Sequence, residues 1–178
     1  MGYRCVWAMA VVIGIWGTIY VGHRSALGDR APAAGTPEIK VMVAVPEGSA
    51  WVLRDEKNAV AVVLEDISGK PLSLYQSWNS WGYDNVRLEW ETTGKKGTVT
   101  ASDRAWTKNF PSTTTVPAGG AMVREVDIGD GWVGWPELKE GMKLTLRAVY
   151  ESKQEGGGWR GKAESEPVTV EVRDFRKP

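Results

Sequence analysis

The sequence predicts an all-β protein, a single antiparallel sandwich preceded by an N-terminal hydrophobic helix. Three observations carry that prediction. Beyond Pro37, apolar and polar residues alternate over short runs, which is the two-residue period of a half-buried strand. Turn-forming glycines and prolines separate those runs. No stretch after Pro37 carries the apolar stripe of an amphipathic helix. With 178 residues, the chain has room for one domain of ordinary size once the hydrophobic leader is set aside.

Residues 1–30 read as a signal anchor or a signal peptide. From Val6 to Val21 the chain is almost wholly apolar, with Arg4 before the run and His23 and Arg24 after it. Its length lies between the ~7–15 apolar residues of a signal peptide and the ~17–25 of a membrane span. Ala26-Leu27-Gly28 offers small residues for cleavage, whereas Trp7 and Tyr20 near the two ends suit an uncleaved anchor held at both interfaces. Arg4 keeps the amino terminus cytoplasmic, so the domain is expected outside, membrane-anchored or secreted if the leader is cut. Membrane contact is expected through this segment only. Cys5 precedes the apolar run, which argues against a lipoprotein. Residues 31–37, rich in Ala and Pro, form a linker.

The domain is expected over residues 38–173, with 174–178 a C-terminal tail. Ile39, Val41, Val43 and Val45 share one strand face; Ala59–Leu64 is apolar on both faces and reads as a central strand. Val86, Leu88 and Trp90 alternate with Arg87, Glu89 and Glu91. Leu144, Leu146, Ala148 and Tyr150 then alternate with Lys143, Thr145, Arg147 and Val149, and Val168, Val170 and Val172 with Thr169, Glu171 and Arg173. Turns are expected at Ser68–Pro71, Thr93-Gly94, Pro117–Gly120, Gly129–Gly131 and Gly156–Gly158. Seven to nine strands in this punctuation suit a sandwich better than a barrel.

Composition removes whole classes of function. Lys plus Arg and Asp plus Glu are both 22, a formal net charge of +0, so no nucleic-acid partner is expected. The single cysteine, Cys5, and the single histidine, His23, lie in the leader. The domain therefore lacks the residues for a disulfide, a Cys/His zinc site, a cysteine nucleophile or a Ser-His-Asp triad. No catalytic residue, cofactor or metal is predicted. A glycosidase needs only two carboxylates, but no pair among the acids stands out, and Glu65-Asp66 and Glu89/Glu91 suit strand ends and outer faces.

Three runs carry a resemblance: Trp78-Asn79-Ser80-Trp81-Gly82-Tyr83, Arg104 to Ser112, and Trp159-Arg160-Gly161-Lys162 leading into Ser165-Glu166-Pro167-Val168. With Leu146–Glu151, they resemble an uncharacterised family of exported bacterial proteins with an immunoglobulin-like β-sandwich domain, across roughly residues 38–173. The resemblance implies export and the immunoglobulin-like form of the sandwich, and it brings no reaction or ligand with it. More distantly, Leu138–Leu144 resembles the corner before a late strand in fibronectin-type sandwiches, with Met142 where a tyrosine usually stands.

Tryptophan is the compositional outlier: of ten, only Trp7 and Trp16 fall in the leader. A sandwich core has few slots for so large a ring, so some must sit at edges and surfaces. The loop Tyr75–Asn85 is the sharpest candidate, with Trp78, Trp81 and Tyr83 beside the hydrogen-bonding Asn79. Rings of this kind stack on sugars or anchor protein contacts, and they also plug the open end of a sandwich. At least one is expected to be substantially exposed. Trp132 and Trp135, in the glycine-rich loop Asp127–Pro136, would extend the same surface; Asp127 and Asp130 there lack the full ligand spacing of a calcium loop. Arg104, Trp106 and Lys108 read either as a clamp for an acidic group or as a charge-guarded edge strand. The expected function is a non-enzymatic binding or scaffold module contacting protein or glycan of the cell envelope, with Trp78, Asn79, Trp81, Tyr83, Trp132 and Trp135 as binding residues. The alternative is a protease-inhibitor-like sandwich acting through an exposed loop.

Overall fold

The computed structural model describes residues 38–44, 50–52, 59–107, 110–129 and 131–173; the expected N-terminal helix, the linker and the C-terminal tail lie outside them. The described residues are all-β, with no helix. In chain order the strands are β1 (Ile39–Ala44), β2 (Ala50–Val52), β3 (Ala59–Asp66), β4 (Leu72–Tyr75), β5 (Val86–Thr92), β6 (Lys95–Ala101), β7 (Thr113–Val116), β8 (Ala121–Asp127), β9 (Trp132–Val133), β10 (Lys143–Ser152), β11 (Gly161–Glu164) and β12 (Val168–Arg173).

These strands make three sheets. One has the order β1-β3-β8, antiparallel throughout; β3 is its centre, as its apolar sequence predicts. Its second face is only half-buried, however, with Ala61 and Val63 outward while Val60, Val62 and Leu64 are fully buried. The large sheet runs β2-β12-β10-β5-β6-β9, with β11 also paired to β10. β4 and β7 form a separate antiparallel pair. The β2–β12 pairing is parallel, a departure from the wholly antiparallel arrangement expected.

Alternation becomes burial where the sequence predicts it. Ile39, Val41 and Val43 of β1 point inward, and so do Leu144, Leu146, Ala148 and Tyr150 of β10 and Val170 and Val172 of β12. With Leu88, Val99 and Val126 they build one apolar cluster fed by both larger sheets. Side chains of this size contribute about 1.5–3 kcal/mol each when fully buried, so this cluster supplies the main driving force for the fold. Apart from the fully buried tyrosines Tyr75 and Tyr150, the apolar interior is aliphatic, and the aromatic rings Trp90, Trp132, Trp135 and Trp159 pack half-buried at the margins of the core.

Glycine placement fixes two of those margins. Gly97 faces Trp90 across β5–β6, where a Cβ would come within 2.5 Å of the indole. Gly158 lies over the Tyr75 ring, where a Cβ would meet it at 2.5 Å. Gly158, with Gly156 near the phenol hydroxyl, therefore makes a flat cover for a buried tyrosine, whereas Gly157 faces open space.

Candidate functional site

The Tyr75–Asn85 loop is built around Asn79, which is fully buried. Its amide nitrogen donates to the Ser112 carbonyl at 3.1 Å and the Ser112 hydroxyl at 2.9 Å. Its side-chain oxygen accepts from the N–H groups of Trp81 at 3.0 Å and Gly82 at 3.1 Å. Two donor and two acceptor positions are all that an amide commands. Asn79 has none left for a hydroxyl of a ligand; it holds the turn, and Gln76 strengthens the same attachment through Thr114 at 2.8 Å. Gly82 allows the close return, since a Cβ there would lie 2.4 Å from the Gln76 carbonyl oxygen.

On this turn Trp78 is 61% exposed, in line with the expectation that one ring could not be housed inside. Trp81 and Tyr83 are half-buried. The Tyr83 hydroxyl donates to the Ser102 carbonyl at 3.0 Å, and its ring meets Trp106 edge-on, centroids 5.1 Å apart. The Arg104 guanidinium sits 5.0 Å from the Trp106 ring centre and 6.0 Å from that of Tyr83. Residues 102–107 are not a strand, so the charge-guarded edge expected there is replaced by a cation stacked on aromatic faces. Beside it, Asp84, an exposed residue whose carboxyl is partly desolvated, is raised from its ordinary value, first by that desolvation and then by the charge of Asp103.

The second aromatic loop is anchored by indole N–H groups. Trp90 donates to the Gly134 carbonyl at 2.8 Å and Trp135 to the Asp127 carbonyl at 3.1 Å. Its strand β9 pairs with the end of β6 and covers that edge. The structure brings Tyr83 and Trp132 to one cleft of about 420 Å³, lined also by Ser77, Gly82, Val86 and the β8 residues Val123, Arg124, Glu125 and Asp127. Trp78 is not among that lining, and Trp135 is spent on the Asp127 carbonyl.

Arg124 escaped the sequence reading. On β8 it shares the inward parity of Met122 and Val126, so a charged residue at an inward position of the run is the signal that could have found it. It donates through Nη2 to the Tyr75 carbonyl, and burial pushes its guanidinium below the ordinary range, with the Tyr150 phenol acting the other way. Among the described residues no group of three or more His, Cys, Asp or Glu side chains is placed to hold a metal ion. The chain matches no protein-family model and no curated protein sequence.

Proposed function

We propose that residues 38–173 are an immunoglobulin-like sandwich domain of an exported bacterial protein, acting as a non-enzymatic binding module on protein or glycan of the cell envelope. Residues 1–30 hold it outside the cytoplasm as an anchor, or release it if cleaved. Supporting the immunoglobulin-like form, β1 and β2 are consecutive in the chain yet belong to different sheets, and β2 runs parallel to the last strand.

The observation that carries the binding reading is the exposed Trp78 on a turn pinned from below by Asn79 and Ser112. A large ring with two side-chain torsions, carried on a backbone turn that is already fixed, loses little conformational entropy when a partner covers it. The test is a photo-crosslinking residue at position 78 of the full chain, expressed in a bacterial host. An adduct with an envelope protein or glycan, stronger than that from Lys70, is expected; equal labelling at the two positions would sink the reading. Added protease should reach the domain once the outer permeability barrier is opened and before the cytoplasm is.

The inhibitor-like alternative draws on Phe110, 84% exposed between β6 and β7. An aromatic side chain offered by an exposed loop suits a protease with a chymotrypsin-like specificity pocket. Failure of the intact protein to slow such a protease removes that alternative.

A further inference from the structure

β8 is an edge strand: among the described residues it pairs with β3 alone. Two contacts fix which of its backbone groups are free. Asp66 N–H bonds the Gly120 carbonyl at 2.9 Å, on the β3 side, and the Trp135 indole reaches the Asp127 carbonyl from the opposite side. Backbone polar groups alternate along a strand, so Met122, Arg124 and Val126 serve β3 whereas Val123 and Glu125 present their N–H and C=O groups away from it. Those two residues line the cleft that holds Tyr83 and Trp132.

Beside this free edge lies a cation with no counter-charge among the described residues. None of the ion pairs among the described residues includes Arg124. Its Nε is buried and has no hydrogen-bond partner among the described residues. Glu125 and Asp127 line the same cleft, yet neither pairs with it. A desolvated guanidinium left unpaired is costly, and its planar fork matches a carboxylate.

We infer that the β8 edge takes an extended peptide by strand addition, with the peptide's terminal carboxylate turned into the cleft toward Arg124. The free N–H and C=O groups of Val123 and Glu125 supply the backbone ladder, Tyr83 and Trp132 wall the terminal side chain, and the guanidinium reads the charge. This deepens the envelope-protein half of the binding reading and rests on it, though it uses a different surface from Trp78.

The experiment measures fluorescence anisotropy of the full chain in detergent with a labelled, alternating Val–Thr hexapeptide, free or amidated at its carboxy terminus. The free acid should bind at least tenfold more tightly than the amide, and Arg124→Gln should erase that difference. Val123→Pro deletes a free-edge N–H without touching the β3 ladder, and it should abolish binding of both peptides while the thermal melt shows a folded protein. If Arg124→Gln does not fold, Val123→Pro and the acid-versus-amide ratio still decide. Equal binding of acid and amide, full displacement by sodium acetate at the peptide's own concentration, or wild-type binding that survives in Val123→Pro would each overturn the inference. Trp78→Ala should leave peptide binding intact, so loss of crosslinking at position 78 and loss of peptide binding are separate failures.

Discussion

Asn79 and Trp78 are neighbours with opposite duties, and truncation should separate them. Asn79→Ala removes four side-chain hydrogen bonds from a buried turn and strands the N–H group of Trp81, while Gly82 N–H keeps the Asn79 backbone carbonyl, so a loss of about 2–4 kcal/mol is expected in urea melts. Trp78→Ala touches a mostly exposed ring and should stay within about 1 kcal/mol. Equal losses in the two variants would mean that Trp78 is a structural plug. The exposure of one ring was legible in the sequence from the crowding of aromatics around a small aliphatic core. Asn79's role was not, because its partner Ser112 lies 33 residues away and only the folded chain brings them together. The amide beside tryptophans resembles a ligand contact for the same reason that it makes a good internal brace: it donates and accepts at once.

At the scale of elements, the long alternating strands were readable and the short ones were not. β1, β5 and β12 each bury one face, the one-sided burial that alternation encodes; β10 buries its alternating face too, but Val149, expected among its outward residues, is also fully buried. β2, β7, β9 and β11 run to four residues or fewer, too short for a period to register, and their presence raises the number of described strands to twelve, above the seven to nine expected. β9 is there because Gly134 brings the chain against β6. Gly134 has φ of 92°, and a Cβ would fall 2.1 Å from the Thr98 carbonyl oxygen. Gly134→Ala should therefore displace β9, break the Trp90 indole bond and cost about 2 kcal/mol or more. Tryptophan emission should shift to the red before global unfolding, and a variant with wild-type emission and stability would contradict this account. The free edge of β8 was equally hidden, since edge or centre is a property of pairing and not of sequence; only the inward parity of Arg124 marked that strand as unusual.

For the whole molecule, the absence of His and Cys after His23 shapes the response to pH and redox. No side chain in the domain sequence has an ordinary pKa near neutrality, so the melting temperature should be flat between about pH 6 and 8 and unmoved by reductant. The acid limb then has two opposed components. Glu151 is held below the ordinary range by hydrogen bonds from Lys153 and Arg87, and Glu164 by Lys162. Groups of this sign stabilise the fold above the unfolded carboxylate pKa and lose that contribution as pH falls through their depressed folded values. Asp84, an exposed residue, is raised by partial desolvation and then by Asp103, so its carboxylate costs the folded state some stability at neutral pH and protonation relieves that cost. Stability should thus hold as pH first approaches the ordinary carboxylate range, because Asp84 takes up its proton there, and fall at lower pH as Glu151 and Glu164 are neutralised. Asp84→Asn supplies the sign check: it should melt higher than wild type at pH 7, and the gap should close as pH drops through the Asp84 titration. A gap that is constant with pH, or that widens on acidification, would mean that Asp84 is stabilised as the carboxylate and that Arg104, not partial desolvation and Asp103, governs it.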